Sequence, residues 1–327
     1  MTILVCGGAG YIGSHAVAAL LAKGEQVVIV DHLQTGHKEA VLEGAVLEEG
    51  DLRDQAFLRQ VFNAHQIEAV MHFAADSLVG ESVTDPLKYF DNNVGGATAL
   101  LQVMNEFDVK RIVFSSTAAV YGEPKRVPIV ETDETSPTNP YGETKLAIEK
   151  MLKWSEQAYG LEYVVLRYFN VAGAHIAGLV GEDHQPETHL IPIILQVALG
   201  KRDQMMIYGD DYETEDGTCI RDYIHVVDLA KAHLVALERL LNGENPDNYE
   251  VFNVGTGEGS SVLEVIASFE RVSGKKLNYS IVERRAGDVT AAYADTKKAN
   301  EILGWKSGST LDQAMKSAWD WERKIRS

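Results

Sequence analysis

Tyr141 and Lys145 are residue types that can perform acid–base chemistry, and their spacing could bring them together on a helix. Asn139-Pro140 immediately before them is a typical helix start, with Asn at the N-cap and Pro at the first helical position. On a helix the two side chains lie one turn apart on the same face. A phenol has a pKa of about 10, and a nearby ammonium lowers that pKa by stabilising the phenolate.

One lysine does not by itself make this tyrosine a base at neutral pH. A pKa near neutrality requires a shift of roughly 3 units, or about 4 kcal/mol of differential stabilisation. We therefore expect a second positive charge beside Tyr141. The alternative is an exposed pair on an ordinary helix, without chemistry.

A glycine-rich turn near the beginning of the chain predicts a dinucleotide site. The apolar run Ile3 to Cys6 is followed by Gly7, Gly10 and Gly13, by a helical stretch over 14–23, and by a second apolar run that ends in Asp31. Such a turn lets a pyrophosphate approach the N–H groups at the start of a helix. Asp31 would accept hydrogen bonds from ribose hydroxyls and repel a 2′-phosphate, which favours NAD over NADP. The alternative is a turn that serves packing alone.

Thr117 follows another apolar run, Arg111 to Phe114, at what we expect to be the carboxyl end of a central strand. Ligands bind at this edge of open parallel sheets. Thr117 could hydrogen-bond a substrate oxygen and exchange a proton with Tyr141, or be a strand-end residue without a role. His72, inside an apolar run, is expected to be a core histidine with its hydrogen bonds satisfied.

Strands and helices alternate as far as Asn170, and this alternation predicts an α/β fold. We expect a doubly wound Rossmann-type parallel sheet with a smaller, discontinuous C-terminal substrate-binding domain. The predicted boundaries are 1–170 plus 222–257 for the first domain and 171–221 plus 258–327 for the second. We expect a helical run from Arg221 to Leu241. Arg221, Arg284 and Arg285 would supply positive charge for an anionic substrate.

Composition argues against several classes of partner. The 327 residues carry a formal charge of −18, with 45% hydrophobic and 24% charged residues, as in a globular protein that binds neither nucleic acid nor an anionic membrane. Cys6 and Cys219 are the only cysteines, so we expect no disulfide framework and a cytoplasmic location. The sequence enters a strand at once, which argues against a signal peptide. We predict no metal site.

Taken together, these stretches resemble the extended short-chain dehydrogenase/reductase family, and more closely its nucleotide-sugar 4-epimerases. The resemblance covers nearly the whole chain. Its motifs are Gly7 to Gly13, His72 to Ala75, Val79 to Ser82, Asp91 to Asn93, Phe114 to Gly122, Tyr141 to Lys145, Leu166 to Asn170, Gly181 to Asp183, Arg221 to His225 and Arg284 to Asp288.

The resemblance implies a reversible inversion at C4 of the hexose of a UDP-sugar through a 4-keto intermediate, with tightly held NAD. It assigns catalysis to Tyr141, Lys145 and Thr117. The implied cofactor residues are Gly7, Gly10, Tyr11, Ile12, Gly13, Asp31, Asp51, Leu52, Phe73, Ala74, Asn92, Lys145 and Tyr168. The implied substrate residues are Thr117, Tyr141, Asn170, His189, Leu190, Tyr208, Arg221, Arg285, Asp288 and Ala292. It also implies a homodimer formed through helices over Val94–Asn105 and Tyr141–Ser155.

Three positions depart from the family pattern. Ser77 replaces a Lys that contacts the pyrophosphate in some members, so cofactor retention would be weaker. His189 replaces a frequent Asn near the sugar. Ala292 replaces a bulky Tyr at the back of the hexose pocket, which leaves room for an N-acetyl group and predicts activity on UDP-GlcNAc and UDP-GalNAc.

Two other readings compete with epimerisation. A 4,6-dehydratase of this fold needs an acid–base carboxylate pair after Thr117, where this chain has Ala118-Ala119. A cofactor-sensing protein without chemistry would typically have lost Tyr141 or Lys145.

Overall fold

The computed structural model describes residues 1–184, 187–285 and 287–325. In chain order, the strands are β1 Thr2–Cys6, β2 Gln26–Asp31, β3 Ala45–Glu49, β4 Ala69–His72, β5 Arg111–Thr117, β6 Glu162–Tyr168, β7 Asn170–Ala172, β8 Met205–Tyr208, β9 Ile220–Arg221, β10 Tyr223–His225, β11 Tyr249–Val254, β12 Ser260–Ser261, β13 Tyr279–Val282 and β14 Ala291–Ala292. The helices are α1 Tyr11–Ala22, α2 Gln55–Ala64, α3 Val79–Thr84, α4 Pro86–Tyr89, α5 Gly96–Glu106, α6 Pro140–Tyr159, α7 Leu190–Ala198, α8 Val226–Leu241, α9 Val262–Ser273 and α10 Leu311–Ile325.

Seven parallel strands form the central sheet in the order β11-β6-β5-β4-β1-β2-β3. The chain winds outward from β1 in both directions, so the predicted doubly wound Rossmann-type sheet is confirmed. Alternate residues of β1 enter different cores: Ile3 and Val5 pack on one face, and Leu4 and Cys6 on the other. Burial on both faces explains why these strands appear in the sequence as continuous apolar runs.

Smaller sheets and a third core lie beyond the large one. Strands β7 and β10 pair in parallel, β8 pairs with β13, and β9 lies between β12 and β14. Helices α7, α9 and α10 contribute to a separate apolar cluster that includes Ile194, Phe269 and Trp319. The proposed domain boundaries stay a prediction. No helix within the described residues is both long and apolar enough to cross a membrane.

The expected helical start at Arg221 is wrong. Arg221 lies in β9, and Tyr223–His225 form β10, which pairs with Asn170–Ala172. Helix α8 begins only at Val226, where the His225 side chain accepts a hydrogen bond from the N–H of Val227 at 3.1 Å. The strands form because distant segments supply their pairing partners, and these partners override the local pattern.

Candidate active site

Helix α6 begins as the sequence predicts. Asn139 is the N-cap, its side chain accepts a hydrogen bond from the N–H of Gly142 at 2.9 Å, and Pro140 follows at the first helical position. Tyr141 and Lys145 are only 8% and 2% exposed, and Lys145 Nζ lies 5.9 Å from the centre of the Tyr141 ring. This burial argues against the alternative of an exposed pair on an ordinary helix.

Burial dominates the acid–base properties of both residues. It raises the pKa of Tyr141 far above its ordinary value, although a hydrogen bond with Thr117 acts in the opposite direction. Burial also lowers the pKa of Lys145 to about 7, against a smaller opposing effect of Glu149. The protein without cofactor therefore holds a neutral phenol, and Lys145 alone does not make it a base. This outcome agrees with the expected need for a second positive charge.

Strand β5 ends beside this pair. The carbonyl oxygen of Ser115 accepts a hydrogen bond from Lys145 Nζ at 2.9 Å, and Ser115 Oγ lies 3.0 Å from the hydroxyl of Tyr168 on β6. Thr117, the last residue of β5, accepts a hydrogen bond from the N–H of Ala119 at 3.1 Å. The carboxyl end of a central strand thus brings Thr117, Tyr141, Lys145 and Tyr168 together.

A buried ion pair behind the catalytic helix was not found by sequence reasoning. Glu149 accepts hydrogen bonds from Ser116 Oγ at 2.6 Å and from Arg167 Nη2 at 2.6 Å and Nε at 3.0 Å. Arg167 also donates to the hydroxyl of Tyr121 at 3.0 Å. The four-residue spacing places Glu149 on the same helix face as Lys145, and this sequence feature could have drawn attention to Glu149 but not to Arg167.

His72 only partly follows its prediction. The residue is buried in the core, as expected, but within the described part of the chain neither of its ring nitrogens has a hydrogen-bond partner. Burial, with a smaller effect of the charge on Lys145, lowers the pKa of His72 to about 3. The expectation of a satisfied histidine was therefore wrong.

The glycine turn has the close packing that its residue types suggest. Gly7 has a φ of +79°, and a Cβ there would lie 2.6 Å from the backbone nitrogen of Ala74. A Cβ on Gly13 would lie 2.1 Å from the carbonyl oxygen of Gly7, so only glycine lets α1 pack this closely on the turn. Gly10 is the N-cap of α1, whose start carries no side-chain cap and no acidic residue in its first turn.

Asp31 ends β2 beside the same turn. Its carboxylate oxygens accept hydrogen bonds from the N–H groups of Ala9 at 3.0 Å and Leu33 at 2.9 Å. An ionised carboxylate has about four acceptor sites, so these two bonds leave capacity for ribose hydroxyls. The glycine turn, the uncapped helix start and this acid together fit a dinucleotide.

The other predicted cofactor residues surround this edge in different environments. Tyr11 donates from its hydroxyl to the carbonyl of Gly173 at 2.6 Å, and Ile12 follows it in the first turn of α1. Asp51 is held by Arg53, whose Nη2 lies 2.6 Å away and which lowers the pKa of the carboxyl, whereas Leu52 is buried.

Three further predicted cofactor residues lie after β4. Phe73 packs against His233 with ring centres 4.6 Å apart, and the N–H of Ala74 donates to the carbonyl of Cys6 at 3.0 Å. Asn92 lies in the π-helical turn Phe90–Gly95. Ser77 lies exposed in the loop before α3.

Four predicted substrate residues form one charged group. Asp288 lies 3.1 Å from Arg285 Nη2 and 3.8 Å from Arg221 Nη2, while the Arg285 guanidinium lies 5.4 Å from the centre of the Tyr208 ring. Arg221 also donates to the carbonyl oxygens of Ile220 and Val289, each at 2.8 Å. The group combines two guanidinium ions with an exposed aromatic ring, which suits a nucleotide with phosphate groups.

Ala292 connects this group with the catalytic residues. It is the register partner of Arg221 in the small sheet, and it packs in one apolar cluster with Ala118, Leu146 and Phe169. Ala118 follows Thr117, and Leu146 follows Lys145. Asn170 is exposed at the start of β7, and His189 and Leu190 lie at the start of α7, with His189 as its N-cap.

Comparisons with known proteins identify the family and the relatives of this chain. A model of the NAD-dependent epimerase/dehydratase family matches residues 3–255. The UDP-glucose 4-epimerase of Lacticaseibacillus casei is 56% identical over 322 residues, which cover 98% of this chain and 96% of that protein.

Solved structures give the same result. A crystal structure of a UDP-glucose 4-epimerase has a TM-score of 0.97 and 54% identity, covering 100% of this chain and 98% of the other. The Bifidobacterium longum UDP-glucose 4-epimerase in complex with NAD⁺ and UDP has a TM-score of 0.94 and 42% identity, covering 100% and 99%.

Proposed function

The chain belongs to the NAD-dependent epimerase/dehydratase family, and on this basis we propose that it interconverts UDP-glucose and UDP-galactose by NAD-dependent inversion at C4. One observation carries the proposal beyond family membership. Tyr141 and Lys145 are buried at the carboxyl end of β5, next to Thr117, as the reaction at a sugar hydroxyl requires.

NAD fits the residues around the glycine turn. Gly7 and Gly13 leave space where a Cβ would clash, and Gly10 leaves the N–H groups of α1 free for pyrophosphate. Asp31 has acceptor capacity for the adenosine ribose, and its charge disfavours a 2′-phosphate. We assign the remaining contacts to Tyr11, Ile12, Asp51, Leu52, Phe73, Ala74, Asn92, Lys145 and Tyr168.

Bound NAD supplies the hydride acceptor and donor for C4 and, while oxidised, a positive charge beside the phenol. With that charge in place, Tyr141 removes the proton of the 4-hydroxyl, and a 4-ketohexose results. Thr117 hydrogen-bonds Tyr141 and the sugar oxygen, and Lys145 holds the phenolate. After the ketohexose has presented its other face, Tyr141 returns the proton to the oxygen.

The charged group at the other end of the site binds the nucleotide. Arg221 and Arg285 neutralise phosphate charge, Asp288 accepts from the uridine ribose, and Tyr208 stacks on uracil. Asn170, His189 and Leu190 complete the contacts with the diphosphate and sugar. Because most of these contacts hold the nucleotide end of the substrate, the sugar end can turn between the two transfer steps.

The proposal extends to N-acetylated sugars. The methyl side chain of Ala292 lies in the apolar cluster beside the residues that follow Thr117 and Lys145. A small side chain there leaves room for an acetamido group, so UDP-GlcNAc and UDP-GalNAc are substrates as well. A dehydratase is disfavoured because Ala118 and Ala119 supply no acid–base pair after Thr117.

The test uses purified protein without added NAD, incubated separately with UDP-galactose, UDP-GalNAc and dTDP-glucose, with products resolved by NMR. We expect UDP-glucose and UDP-GlcNAc, and no 4-keto-6-deoxy sugar. Tyr141→Phe should abolish turnover, whereas Tyr159→Phe, an exposed tyrosine on the same helix, should not. A 4-keto-6-deoxy product would overturn the assignment. Turnover only after NAD is added would retain the reaction and implicate Ser77 in cofactor loss.

We also propose a role in galactose metabolism in the cytoplasm and a homodimer formed through α5 and α6. The two cysteines, Cys6 and Cys219, are both unpaired thiols, as in a reducing compartment. Trp154 on α6 is 67% exposed, and packing its ring against a second copy would remove apolar surface from water.

A further inference from the structure

Four side chains before α7 form a compact cluster, of which the proposed reaction uses only His189. Glu182, His184, Glu187 and His189 each offer one ligand atom, and these atoms all lie within 4.8 Å of one another. We call this group the 182–189 cluster, and we propose that it is a binding site for Zn²⁺. The proposal departs from the sequence-based prediction of no metal site.

The distances suit a four-coordinate ion. Zn²⁺ binds nitrogen and oxygen ligands at about 2.0–2.2 Å, so tetrahedral ligand atoms lie about 3.3 Å apart. His184 Nδ1 lies 3.1 Å from Glu182 and 4.0 Å from Glu187, and His189 Nδ1 lies 3.5 Å and 2.8 Å from the same two carboxylates. Some of these separations are shorter and some longer than the tetrahedral value, so small side-chain movements would bring the four ligand atoms into tetrahedral coordination.

The ligand types select the metal. Two imidazoles and two carboxylates favour Zn²⁺, whereas Mg²⁺ and Ca²⁺ prefer sites made of oxygen alone. The two carboxylates are withdrawn from solvent, with side chains that are 13% exposed in Glu182 and 4% in Glu187. Two negative charges held this close to one another are neutralised by one divalent ion.

The backbone already orients one of the ligands. Glu187 Oε1 accepts hydrogen bonds from the N–H groups of Thr188 and His189, both at 2.7 Å. This fixes the carboxylate and leaves Oε2 directed towards His184. The alternative is a set of histidine–glutamate hydrogen bonds in which protons take the place of the metal.

The location gives the ion a structural role. The His184 ring meets the Tyr11 ring edge-on with centres 6.2 Å apart, and His189 is the N-cap of α7. A bound ion therefore ties Glu182 and His184 to the start of α7, beside Tyr11. His189 is also assigned to the substrate, so the claim is tested by metal binding in the absence of UDP-sugar and not by turnover.

The test measures binding directly. Tag-free protein carrying its NAD is dialysed against EDTA and then titrated with Zn²⁺ in competition with a chromophoric chelator. We expect one Zn²⁺ per chain, with a dissociation constant in the micromolar range or below. Loss of even a ligand's hydrogen-bond partner typically weakens metal affinity by about 10–100-fold, so His184→Ala and Glu187→Gln should each weaken binding at least roughly tenfold.

His65→Ala is the matched control, because His65 pairs with Glu48 at 2.8 Å outside the cluster. This variant should bind as the wild type does. Circular dichroism in EDTA checks that each variant is folded, and Co²⁺ should give the intense visible bands of a four-coordinate site. Absence of stoichiometric binding, an equal loss in His65→Ala, or displacement of Zn²⁺ by excess Mg²⁺ would overturn the proposal.

Discussion

At the scale of single residues, the buried Lys145 serves the proposed reaction but lowers the stability of the folded protein. Its pKa is lowered to about 7 because burial disfavours the charged form. In the unfolded chain the lysine has its ordinary pKa. Below pH 7 the lysine is therefore charged in both states, and its buried charge destabilises the folded state. As the pH rises from about 7 towards 10.5, the folded state loses this proton first, and the destabilisation disappears.

We therefore expect Lys145→Met to raise the melting temperature of the NAD-free protein while abolishing turnover. The increase should be larger at pH 6 than at pH 9, because a shift from 10.5 to about 7 corresponds to a destabilisation on the order of 5 kcal/mol only while the lysine is charged. Calorimetry at the two pH values measures it. Lys150→Met, an exposed lysine of the same helix, supplies the control, and an equal increase at both pH values would contradict the argument.

A second residue-scale prediction concerns the sugar pocket. Ala292→Tyr should reduce kcat/KM for UDP-GalNAc by at least tenfold more than for UDP-galactose, because the added ring occupies the space for the acetamido group. Ratios of kcat/KM for the two substrates measure this. Ala291→Tyr, at the preceding position of β14, tests whether any tyrosine in this strand is sufficient to lower kcat/KM for UDP-GalNAc. An unchanged ratio in Ala292→Tyr would exclude the open-pocket explanation.

At the scale of elements, helix α6 is positioned from both sides. Its first turn is capped by Asn139, while Glu149, one turn after Lys145, is held by Ser116 of β5 and Arg167 of β6. Breaking a buried ion pair by removing one partner typically costs about 3–5 kcal/mol, because the other charge is left uncompensated. The pair therefore fixes the distance between the helix and the end of β5.

Glu149→Gln tests whether this pair also tunes the catalytic lysine. The Glu149 charge raises the pKa of Lys145, so its removal should lower that pKa and shift the alkaline limb of kcat to lower pH. A pH profile of kcat measures the shift. Glu143→Gln, an exposed acid on the same helix, should leave the profile unchanged. A loss of stability without a shifted profile would mean that the pair only holds the fold together.

The close approach of α1 to the glycine turn gives another prediction. Gly13→Ala should lower both the melting temperature and the amount of NAD that remains bound on purification, because its Cβ would lie 2.1 Å from a backbone oxygen. Gly80→Ala is the control: Gly80 lies in α3 with open space around it, and alanine there changes stability by no more than about 1 kcal/mol. Absorbance of the released cofactor and calorimetry provide the measurements.

Local patterns predicted the central sheet and the start of α6, because burial on both faces and the Asn-Pro cap act within a few residues. They failed for Arg221–His225, whose strand character depends on residues 170–172, 260–261 and 291–292. The 182–189 cluster was also missed, since its spacing matches no common metal motif. Packing between distant segments decided the strand character of Arg221–His225, whereas the 182–189 cluster forms among residues close together in the sequence.

At the scale of the whole molecule, two groups of residues meet across a small sheet. The central sheet positions Tyr141, Lys145 and Thr117, while strands β8 and β9 carry Tyr208 and Arg221. The pairing of Ala292 with Arg221 connects the two groups. A substrate with a nucleotide at one end and a sugar at the other suits this separation.

Assembly of two copies is the prediction that belongs to this scale. Helices α5 and α6 contact each other, and Trp154 on α6 is 67% exposed, so a second copy would bury its ring. Trp154→Glu places a charge in that interface, and light scattering should show the mass falling from about two chains to one. Ile176→Glu, at an 83% exposed apolar residue outside α5 and α6, should leave the mass unchanged. If Trp154→Glu keeps the wild-type mass, or if the wild type is itself monomeric, α6 does not form a dimer interface through Trp154.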